Sequence, residues 1–461
     1  MNQSQFSSLK LKSDLVDNLS TLGYKQMTPI QQKSLPPILD GKDVVAQAKT
    51  GSGKTAAFAL GLLNNLRVKR FRVQTLVLCP TRELADQVAT EVRKIARSIH
   101  NVKVLTLCGG AAIGPQIGSL EHGAHIIVGT PGRIVDHLEK NRLVLDELNT
   151  LVLDEADRML EMGFQPSLDV IFSKCPAQRQ TLLFSATFPD SIRPLTESIM
   201  NNPVSVKVTS THDDSVISQH FYTVKDNNQR LKAVKRLLLN HNPESAAIFC
   251  NTKLETNEVA NSLRQQGFSA QALNGDMEQR DRDLTLVKFA NKSSSILVAT
   301  DVAARGLDIE NMDMVINYQI SHDPEVHIHR IGRTGRAGSK GLACTIVLEK
   351  ESYKISKLEE ILETQITLEE LPKAKIQDNI VQKPAMVTLQ IAGGKKQKLR
   401  PGDILGALTG KNGIKSEQVG KINMQPNRSY VAVRREVANE AVDKLTLGKL
   451  KGRNFKVRRI S

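Results

Sequence analysis

The chain of 461 residues contains no tryptophan, and its 12 phenylalanines and 5 tyrosines make aromatic residues only 4% of the composition. This scarcity disfavours an all-β sandwich and any recognition surface built mainly on aromatic stacking. Cysteine is also rare: the 5 cysteines are an odd number, lie far apart and form no CxxC pair. The cysteine pattern therefore indicates neither a disulfide framework nor a zinc site, and it predicts a reducing, intracellular compartment.

Long hydrophobic runs are missing as well. No stretch approaches the ~18 consecutive apolar residues of a membrane-spanning helix. The N-terminal segment is polar and lacks the apolar core of a secretory signal. We therefore expect a cytoplasmic protein without a membrane partner. Because 40% of the residues are apolar, several cores can be buried, and a mostly disordered chain is excluded.

Basic charge is concentrated near the end of the chain. The formal net charge is +15, and residues 385–461 contribute +12 of it, from 17 basic and 5 acidic residues. A localised basic patch is expected of a polyanion binder, because each neutralised phosphate releases condensed counterions. The alternative, a disordered solubilising tail, is disfavoured because runs such as MVTLQIA and SYVAVRR alternate like strands. The sequence predicts a small, folded, basic module.

Two longer regions precede this module. Short, nearly continuous Val/Ile/Leu runs alternate with helical patterns in residues 1–208, and the plan is repeated in residues 209–371. Such runs are typical of parallel sheets that are covered on both faces. The predicted fold class is α/β, with a doubly wound parallel-sheet domain in each region, a linker at 372–384 and an α+β domain at 385–461.

A glycine-rich phosphate-binding loop is predicted at residues 48–55. AKTGSGKT follows a strand-like run and opens a helical pattern, and it matches GxxxxGK[ST] except that Ala48 replaces the first glycine. The glycines let backbone N–H groups face phosphate oxygens at a helix N-terminus. Lys54 is suited to the β- and γ-phosphates and Thr55 to Mg²⁺. A chance glycine-rich turn is disfavoured by the strand–helix context. The predicted ATP-binding residues of this loop are Ala48, Lys49, Thr50, Gly51, Ser52, Gly53, Lys54 and Thr55.

A pair of carboxylates follows another apolar run. TLVLDEAD places Asp154 at the end of a predicted strand, where a carboxylate is suited to holding the Mg²⁺ shell. Glu155 is the candidate that orients and deprotonates the attacking water. A solvated loop start is the alternative reading of these two residues. We disfavour this alternative, because a phosphate-binding loop precedes the two carboxylates by about a hundred residues and chance rarely produces this combination.

These motifs resemble those of the DEAD-box RNA helicases, and the resemblance covers residues 1–371. GYKQMTPIQ resembles the Q motif, although Met27 stands where the family usually has proline. TPGR or SAT alone is an ordinary turn, but the order and number of the motifs are specific. The others are PTRELA (80–85), GG (109–110), TPGR (130–133), DEAD (154–157), SAT (185–187), IFCNT (248–252), QxxR (279–282), TDVAARGLDI (300–309) and HRIGRTGR (329–336).

The resemblance implies two tandem RecA-like domains and assigns roles around ATP. Gln31 resembles the residue that bonds the adenine edge, Phe6 the aromatic that packs on the base, and Asp308 the ribose contact. Arg333 and Arg336 resemble arginine fingers that the second domain delivers to the γ-phosphate. The residues that resemble the relay coupling ATP to domain closure are Asp157, Ser185, Thr187 and His329.

The resemblance also implies contacts with the RNA backbone, which carry no sequence information. In this family ATP and RNA close the cleft between the domains, one strand is bent away, and a short duplex opens. Hydrolysis and phosphate loss then reopen the cleft. The matching residues are Pro80, Thr81, Arg82, Gly109, Gly110, Thr130, Pro131, Gly132, Arg133, Gln279, Arg282 and Thr300.

The basic module resembles the C-terminal domain of the DbpA subgroup. That resemblance implies an RNA-recognition-motif-like fold that binds a hairpin in 23S rRNA and directs the helicase to the maturing large (50S) ribosomal subunit, with a monomer as the family default. An ordinary motif of this kind stacks bases on aromatic side chains, but the central strands here offer only Tyr430. RNA contacts are therefore expected at Tyr430 and at Lys395, Lys396, Lys398, Arg400, Lys421, Arg428, Arg434 and Arg435.

Two other functions stay open on the sequence. One is an ATP-gated RNA clamp or chaperone whose hydrolysis only times release and which unwinds little. The other is a DNA helicase. Strand-displacement assays distinguish the first, and replacement of RNA by DNA in an ATPase assay distinguishes the second. The favoured prediction is an ATP- and Mg²⁺-dependent RNA helicase that acts on 23S rRNA in pre-50S particles.

Overall fold

The computed structural model describes residues 4–48, 51–188, 192–208, 217–304, 312–321, 323–335, 341–362, 364–373, 381–411 and 413–460. The chain divides into two compact units, and their described parts begin at residue 4 and at residue 217. The predicted domain boundary at Thr209 lies outside the described residues. Within the described ranges, no helix combines the length and apolar character needed to cross a membrane.

In the described part of unit 1, seven parallel strands form one sheet in the order β3-β4-β2-β5-β6-β1-β7. The strands are β1 (Val44–Gln47), β2 (Thr75–Leu78), β3 (Val104–Leu107), β4 (Ile126–Gly129), β5 (Thr150–Asp154), β6 (Gln180–Ser185) and β7 (Val204–Lys207). The helices are α1 (Ser13–Thr21), α2 (Pro29–Leu39), α3 (Lys54–Asn65), α4 (Arg82–Ile95), α5 (Ile113–Glu121), α6 (Pro131–Glu139), α7 (Ala156–Glu161), α8 (Gln165–Ser173) and α9 (Ile192–Ile199).

The apolar strands of unit 1 supply two cores. On β5, Val152 packs into a cluster with Phe58 of α3, whereas its neighbour Leu151 packs into a second cluster with Ile134 of α6. Successive side chains of a strand point to opposite faces, so every position of a strand covered on both faces is apolar. The continuous Val/Ile/Leu runs are thus strands of a parallel sheet covered on both faces, as the sequence predicts.

Unit 2 repeats this plan. Its described parallel strands form a sheet in the order β10-β11-β9-β12-β13-β8-β14. The strands are β8 (Ile217–Val224), β9 (Ala246–Cys250), β10 (Ala270–Leu273), β11 (Ile296–Thr300), β12 (Met314–Asn317), β13 (Gly341–Leu348) and β14 (Leu368–Glu369). The helices are α10 (Asn227–His241), α11 (Lys253–Gln265), α12 (Gln279–Ala290), α13 (Asp301–Ala304), α14 (Pro324–Ile331) and α15 (Ser352–Leu362).

The C-terminal module contains an antiparallel sheet in the order β16-β17-β15-β18. Apolar residues of its strands, such as Leu389 and Val431, pack with Ile404 and Leu445 from two helices in a separate core. This α+β arrangement confirms the predicted fold class. The strands are β15 (Met386–Ile391), β16 (Val419–Met424), β17 (Ser429–Arg434) and β18 (Val457–Ile460), and the helices are α16 (Pro401–Thr409) and α17 (Ala438–Leu447).

The other face of this small sheet lies against the segment between α12 and β11. Asn291 Nδ2 donates to Thr388 Oγ1 at 3.2 Å, and the hydroxyls of Ser293 and Thr388 are 2.6 Å apart. Asn423 Nδ2 donates to Asn291 Oδ1 at 2.9 Å. The side chain of Thr388 is fully buried. Polar side chains can be buried here because each bonds across the contact.

The ends of the predicted linker are attached to unit 2. Asn240 Nδ2 donates to the Lys373 carbonyl at 3.3 Å, and Val381 packs against the core of the parallel sheet. Arg435 Nε donates to the Pro384 carbonyl at 2.7 Å. Residues 374–380 lie outside the described part of the chain.

Candidate functional site

The phosphate-binding loop joins β1 to α3. Gly53 has φ +95°, and a Cβ there would lie 2.5 Å from Gln31 Nε2, so both conformation and space favour glycine. The buried Lys54 ammonium donates to the Ala48 carbonyl at 2.5 Å. The hydroxyl oxygen of Ser52 is buried without a hydrogen-bond partner among the described residues. Lys49 and Thr50 lie outside the described residues, and Thr55 occupies the first turn of α3.

The predicted adenine-binding residues are buried in unit 1. Gln31 accepts from the Thr28 backbone N–H at 2.9 Å and donates to the Gly53 carbonyl at 3.1 Å. Its amide thereby links the start of α2 to the phosphate-binding loop. Phe6 is also buried and meets the Tyr24 ring edge-on, with centroids 6.2 Å apart. Asp308, the predicted ribose contact, lies outside the described residues.

Asp154 ends β5, and the adjacent acidic residue Glu155 leads into α7. Burial, reinforced by the charge of neighbouring Glu155, raises the pKa of Asp154 to about 7. Glu155 itself has φ +54° and ψ +52°, the left-handed conformation, at the N-cap of α7. That conformation is uncommon for a residue with a side chain and is enriched at functional sites.

The third acidic residue of the motif is bonded to the predicted coupling segment. Thr187 donates to Asp157 Oδ2 from its hydroxyl at 2.7 Å and from its backbone N–H at 3.1 Å. Burial would raise the pKa of Asp157, but the hydrogen bond from Thr187 and the charge of Arg158 lower it below its usual value. Ser185 is fully buried at the end of β6. The structure therefore brings two of the predicted coupling residues into direct contact.

These residues fit a nucleotide with a divalent cation. Burial and the charge of neighbouring Glu155 disfavour an ionised Asp154, and a bound divalent cation would offset that penalty. The unpartnered hydroxyl of Ser52 and the ammonium of Lys54 supply donors in the loop. We find no group that contradicts this fit among the described residues of the loop and of β5.

Three of the predicted RNA-binding segments of unit 1 lie at the carboxyl ends of β2, β3 and β4, which are neighbours in the sheet. Gly109 N–H donates to Thr130 Oγ1 at 3.3 Å, so the GG and TPGR segments are in contact. Thr81 caps α4 by accepting from the Leu84 N–H at 3.3 Å, and Arg82 begins that helix. The structure thus gathers these segments on one edge of the sheet. The other predicted members at this edge are Pro80, Gly110, Pro131, Gly132 and Arg133.

The predicted RNA-binding residues of unit 2 are also close together. Arg282 Nη2 donates to the Ala303 carbonyl at 2.6 Å, which ties α12 to the residues that follow Thr300. Gln279 begins α12 and donates to Asp283 at 2.8 Å. Thr300 ends β11 and is buried. Helix and strand therefore present this set at the carboxyl edge of the second sheet.

An arginine that the motif analysis did not single out organises the last helicase motif. Arg330 is buried beside His329 on α14, and its guanidinium bonds Asp301, the Asn251 side chain and the Gln319 carbonyl. Three residues later Arg333 is also buried, whereas Arg336 lies outside the described residues. The signal that could have revealed Arg330 is a charged residue on the apolar face of an amphipathic helix.

Five of the predicted basic residues of the C-terminal module lie on two neighbouring loops. Lys395 N–H donates to the Gln425 carbonyl at 2.9 Å, and Lys396 N–H donates to the Pro426 carbonyl at 2.8 Å. These bonds join the loop after β15 to the β16–β17 turn. We call the resulting surface, formed by Lys395, Lys396, Lys398, Arg400 and Arg428, the basic edge.

The remaining predicted contacts lie elsewhere on the module. Lys421, Arg434 and Arg435 are exposed. Tyr430 is only 4% exposed, on the sheet face that packs near Asn291, and this burial disagrees with its predicted contact with RNA. The hydrogen bonds across this sheet face come from short polar residues, Thr388 and Asn423, which bond Asn291.

Comparison with known proteins matches three regions of the chain to family models. Residues 28–195 match the DEAD/DEAH box helicase model, residues 229–338 the helicase conserved C-terminal domain, and residues 388–459 the DbpA RNA binding domain. The ATP-dependent RNA helicase DbpA of Escherichia coli K12 is 50% identical, over 96% of each chain. The chain belongs to the DbpA subgroup of DEAD-box RNA helicases.

More distant helicases share the two parallel-sheet units. The CshA helicase of Geobacillus kaustophilus is 45% identical over 77% of this chain and 76% of its own. The structure of Saccharomyces cerevisiae Dbp5 bound to RNA and ADP BeF3 has a TM-score of 0.72 at 29% identity, covering 80% of this chain and 96% of its own. Mss116p bound to ssRNA and AMP-PNP gives the same TM-score and identity over 81% and 80%. As a member of the family, this DEAD-box protein is an ATP-dependent RNA helicase that binds RNA.

Proposed function

We propose that the C-terminal module targets this helicase to a hairpin of 23S rRNA in the maturing 50S subunit. The observation that carries the proposal is the match to the DbpA RNA binding domain at residues 388–459, in the part of the chain that holds +12 of the net charge. A basic module increases the local concentration of RNA near the helicase units. We further propose that the protein acts as a monomer on pre-50S particles in the cytoplasm.

The basic edge is the part of the module that we propose contacts the hairpin. Gly394 leaves no room for a side chain, since a Cβ would lie 2.2 Å from the Gln425 carbonyl oxygen. The absence of a side chain at Gly394 lets the two loops of the basic edge come close enough to form their backbone hydrogen bonds. Because the sheet face is covered, we expect recognition of the RNA backbone and shape rather than base stacking. Lys421, Arg434 and Arg435 are proposed to extend this contact.

We propose that the phosphate-binding loop and β5 hold Mg²⁺-ATP. Lys54 would contact the β- and γ-phosphates, and Thr55 and Asp154 would hold the metal, which when bound neutralises developing charge on the phosphates. Glu155 would orient the attacking water and accept its proton. Gln31 and Phe6 would select and pack the adenine.

Residues of the second predicted domain, 209–371, are proposed to be needed for turnover. The family resemblance assigns Arg333 to the nucleotide and His329 to coupling. It also assigns to the nucleotide Arg336 and Asp308, which lie outside the described residues. Asp157, Ser185 and Thr187 would transmit the state of the nucleotide. RNA is proposed to contact the two sheet edges through the residues described above. We therefore propose that ATP is hydrolysed efficiently only when RNA is bound as well.

The targeting proposal is tested on the full chain with a double variant, Lys395→Ala with Lys396→Ala. We expect the RNA concentration for half-maximal ATPase to rise about tenfold for a 23S rRNA hairpin, with a shallower dependence on salt. A scrambled hairpin of equal length should bind more weakly and respond less. The matched control is Lys415→Ala with Lys449→Ala, which removes equal charge elsewhere on the module. Equal affinity for both hairpins at every salt concentration would overturn the proposal.

A further inference from the structure

Two residues of α6 hold the loop that contains Gly109 and Gly110. Arg133 Nη1 donates to the Ala111 carbonyl, just after the glycine pair, at 3.2 Å. His137 lies four residues further along α6, on the same face of the helix. The loop is therefore contacted from the helix that begins with the TPGR motif.

His137 reaches this loop through a second side chain. His137 Nε2 is 3.3 Å from Gln116 Oε1, and Gln116 Nε2 donates to the Cys108 carbonyl at 3.1 Å. Cys108 directly precedes the glycine pair. Arg133 and His137 thus hold carbonyl groups on both sides of Gly109 and Gly110, one directly and one through Gln116.

The Gln116–His137 pair is buried in unit 1. Gln116 is 8% exposed and His137 is fully buried. Burying an amide and an imidazole costs free energy unless they are bonded, and an apolar pair of the same shape would usually serve stability equally well. Stability alone therefore does not explain the polar pair.

The bonds of the pair have a defined direction. Because Gln116 Nε2 donates to a carbonyl, its Oε1 must accept, and His137 Nε2 must carry the hydrogen. Burial lowers the pKa of His137; the charge of Asp136 opposes this shift, and those of Arg133 and Arg142 reinforce it. The neutral ring then has a bare Nδ1, which is buried without a partner in the described residues. The ring therefore bonds Gln116 through Nε2 and leaves Nδ1 as an unsatisfied acceptor.

We propose that Gln116 and His137 are positioning residues for the RNA strand: they fix the Gly109–Gly110 loop against α6 so that its backbone, Thr130 and Arg133 meet RNA phosphates together. The inference rests on the proposed RNA contacts of unit 1. Neither residue touches RNA in this account. They keep the loop ordered before RNA binds. Otherwise the entropy lost when RNA orders the loop would weaken RNA binding.

The test uses the full chain and three variants. Gln116→Met and His137→Phe keep approximate size and remove the bonds, whereas His137→Gln restores a donor near the position of Nε2. We expect the KM for RNA in the ATPase assay to rise about tenfold for the first two variants, with kcat at saturating RNA within about twofold. His137→Gln should recover most of the wild-type KM. Affinity for a fluorescent ATP analogue without RNA should not change.

Controls separate positioning from general destabilisation. Val92→Ala removes buried volume from the other core of unit 1 and should lower the melting temperature without changing the KM for RNA. An equal KM change in this control would overturn the inference. Arg133→Ala tests the underlying RNA site: if it leaves KM unchanged, the proposed RNA contacts are wrong. If it raises KM and Gln116→Met does not, only the positioning role is wrong.

Discussion

Arg330 and Asp301 form a two-point ion pair in unit 2. Arg330 Nε donates to Asp301 Oδ1 at 2.6 Å, and Arg330 Nη2 donates to Oδ2 at 2.7 Å. Asp301 follows β11 directly and begins α13, so the pair joins α14 to the start of α13. A flat guanidinium can meet both carboxylate oxygens at once, and an ammonium cannot.

Arg330→Lys should therefore reduce function even though the charge is kept. We expect RNA-stimulated ATPase to fall at least tenfold, because α14 also carries His329 and leads to Arg333, and unit 2 to lose about 2–4 kcal/mol of stability. Thermal unfolding and steady-state ATPase at saturating RNA measure the two effects. Arg236→Lys, at an exposed position on α10, is the matched control. Wild-type turnover in Arg330→Lys would contradict this expectation.

Asp154→Asn should stabilise the nucleotide-free protein in a pH-dependent way. Because the pKa of Asp154 is raised to about 7, the folded protein keeps a proton that the unfolded chain releases near pH 4. Stability is thus lost between these pH values, and the loss persists above pH 7. The melting temperature should rise by several degrees at pH 8 and hardly at all at pH 4.5, in buffer with a metal chelator.

The control for this prediction is Asp17→Asn, a change at an exposed residue of α1. It should alter the melting temperature equally little at both pH values. A stabilisation by Asp154→Asn that is equal at pH 4.5 and pH 8 would show that burial of a charge is not its cause.

Gly394→Ala should damage the basic edge. An added Cβ would lie 2.2 Å from the Gln425 carbonyl oxygen and 2.7 Å from the Arg428 backbone nitrogen, so one loop must move. We expect a stability loss of about 1–3 kcal/mol and weaker binding to the 23S rRNA hairpin. Gly402→Ala is the matched control, because no atom lies within 4 Å of its added Cβ. If the two variants bind the hairpin with equal affinity, the contact between the two loops is not needed for RNA binding and the prediction is wrong.

Lys54→Ala and Glu155→Gln should each abolish RNA-stimulated ATPase. The first removes the ammonium proposed to contact the phosphates, and the second removes the proposed base while keeping the shape of the side chain. RNA binding, measured by fluorescence anisotropy, should persist in both. Turnover of either variant at the parental rate would refute its assigned role.

Most of the local structure could be predicted from sequence. In the C-terminal module, the run MVTLQIA corresponds to β15 (Met386–Ile391), and SYVAVRR corresponds to β17 (Ser429–Arg434). These elements follow from apolar alternation and from turn residues at their ends, which act over a few residues. The phosphate-binding loop is equally local, since Gly53 and Lys54 lie at one strand–helix junction.

The sequence alone determined the family, the order of the domains and the residue types of the proposed ATP and RNA sites, because each is encoded in a short contiguous motif. Only the tertiary structure decided that Tyr430 is buried, that Arg330 bonds Asp301, and that Gln116 connects His137 to the carbonyl that precedes the glycine pair. Each of these depends on which surfaces meet after the sheets have formed. A contact between distant segments leaves no periodic trace in either segment, since its energy comes from burial and hydrogen bonds across the contact.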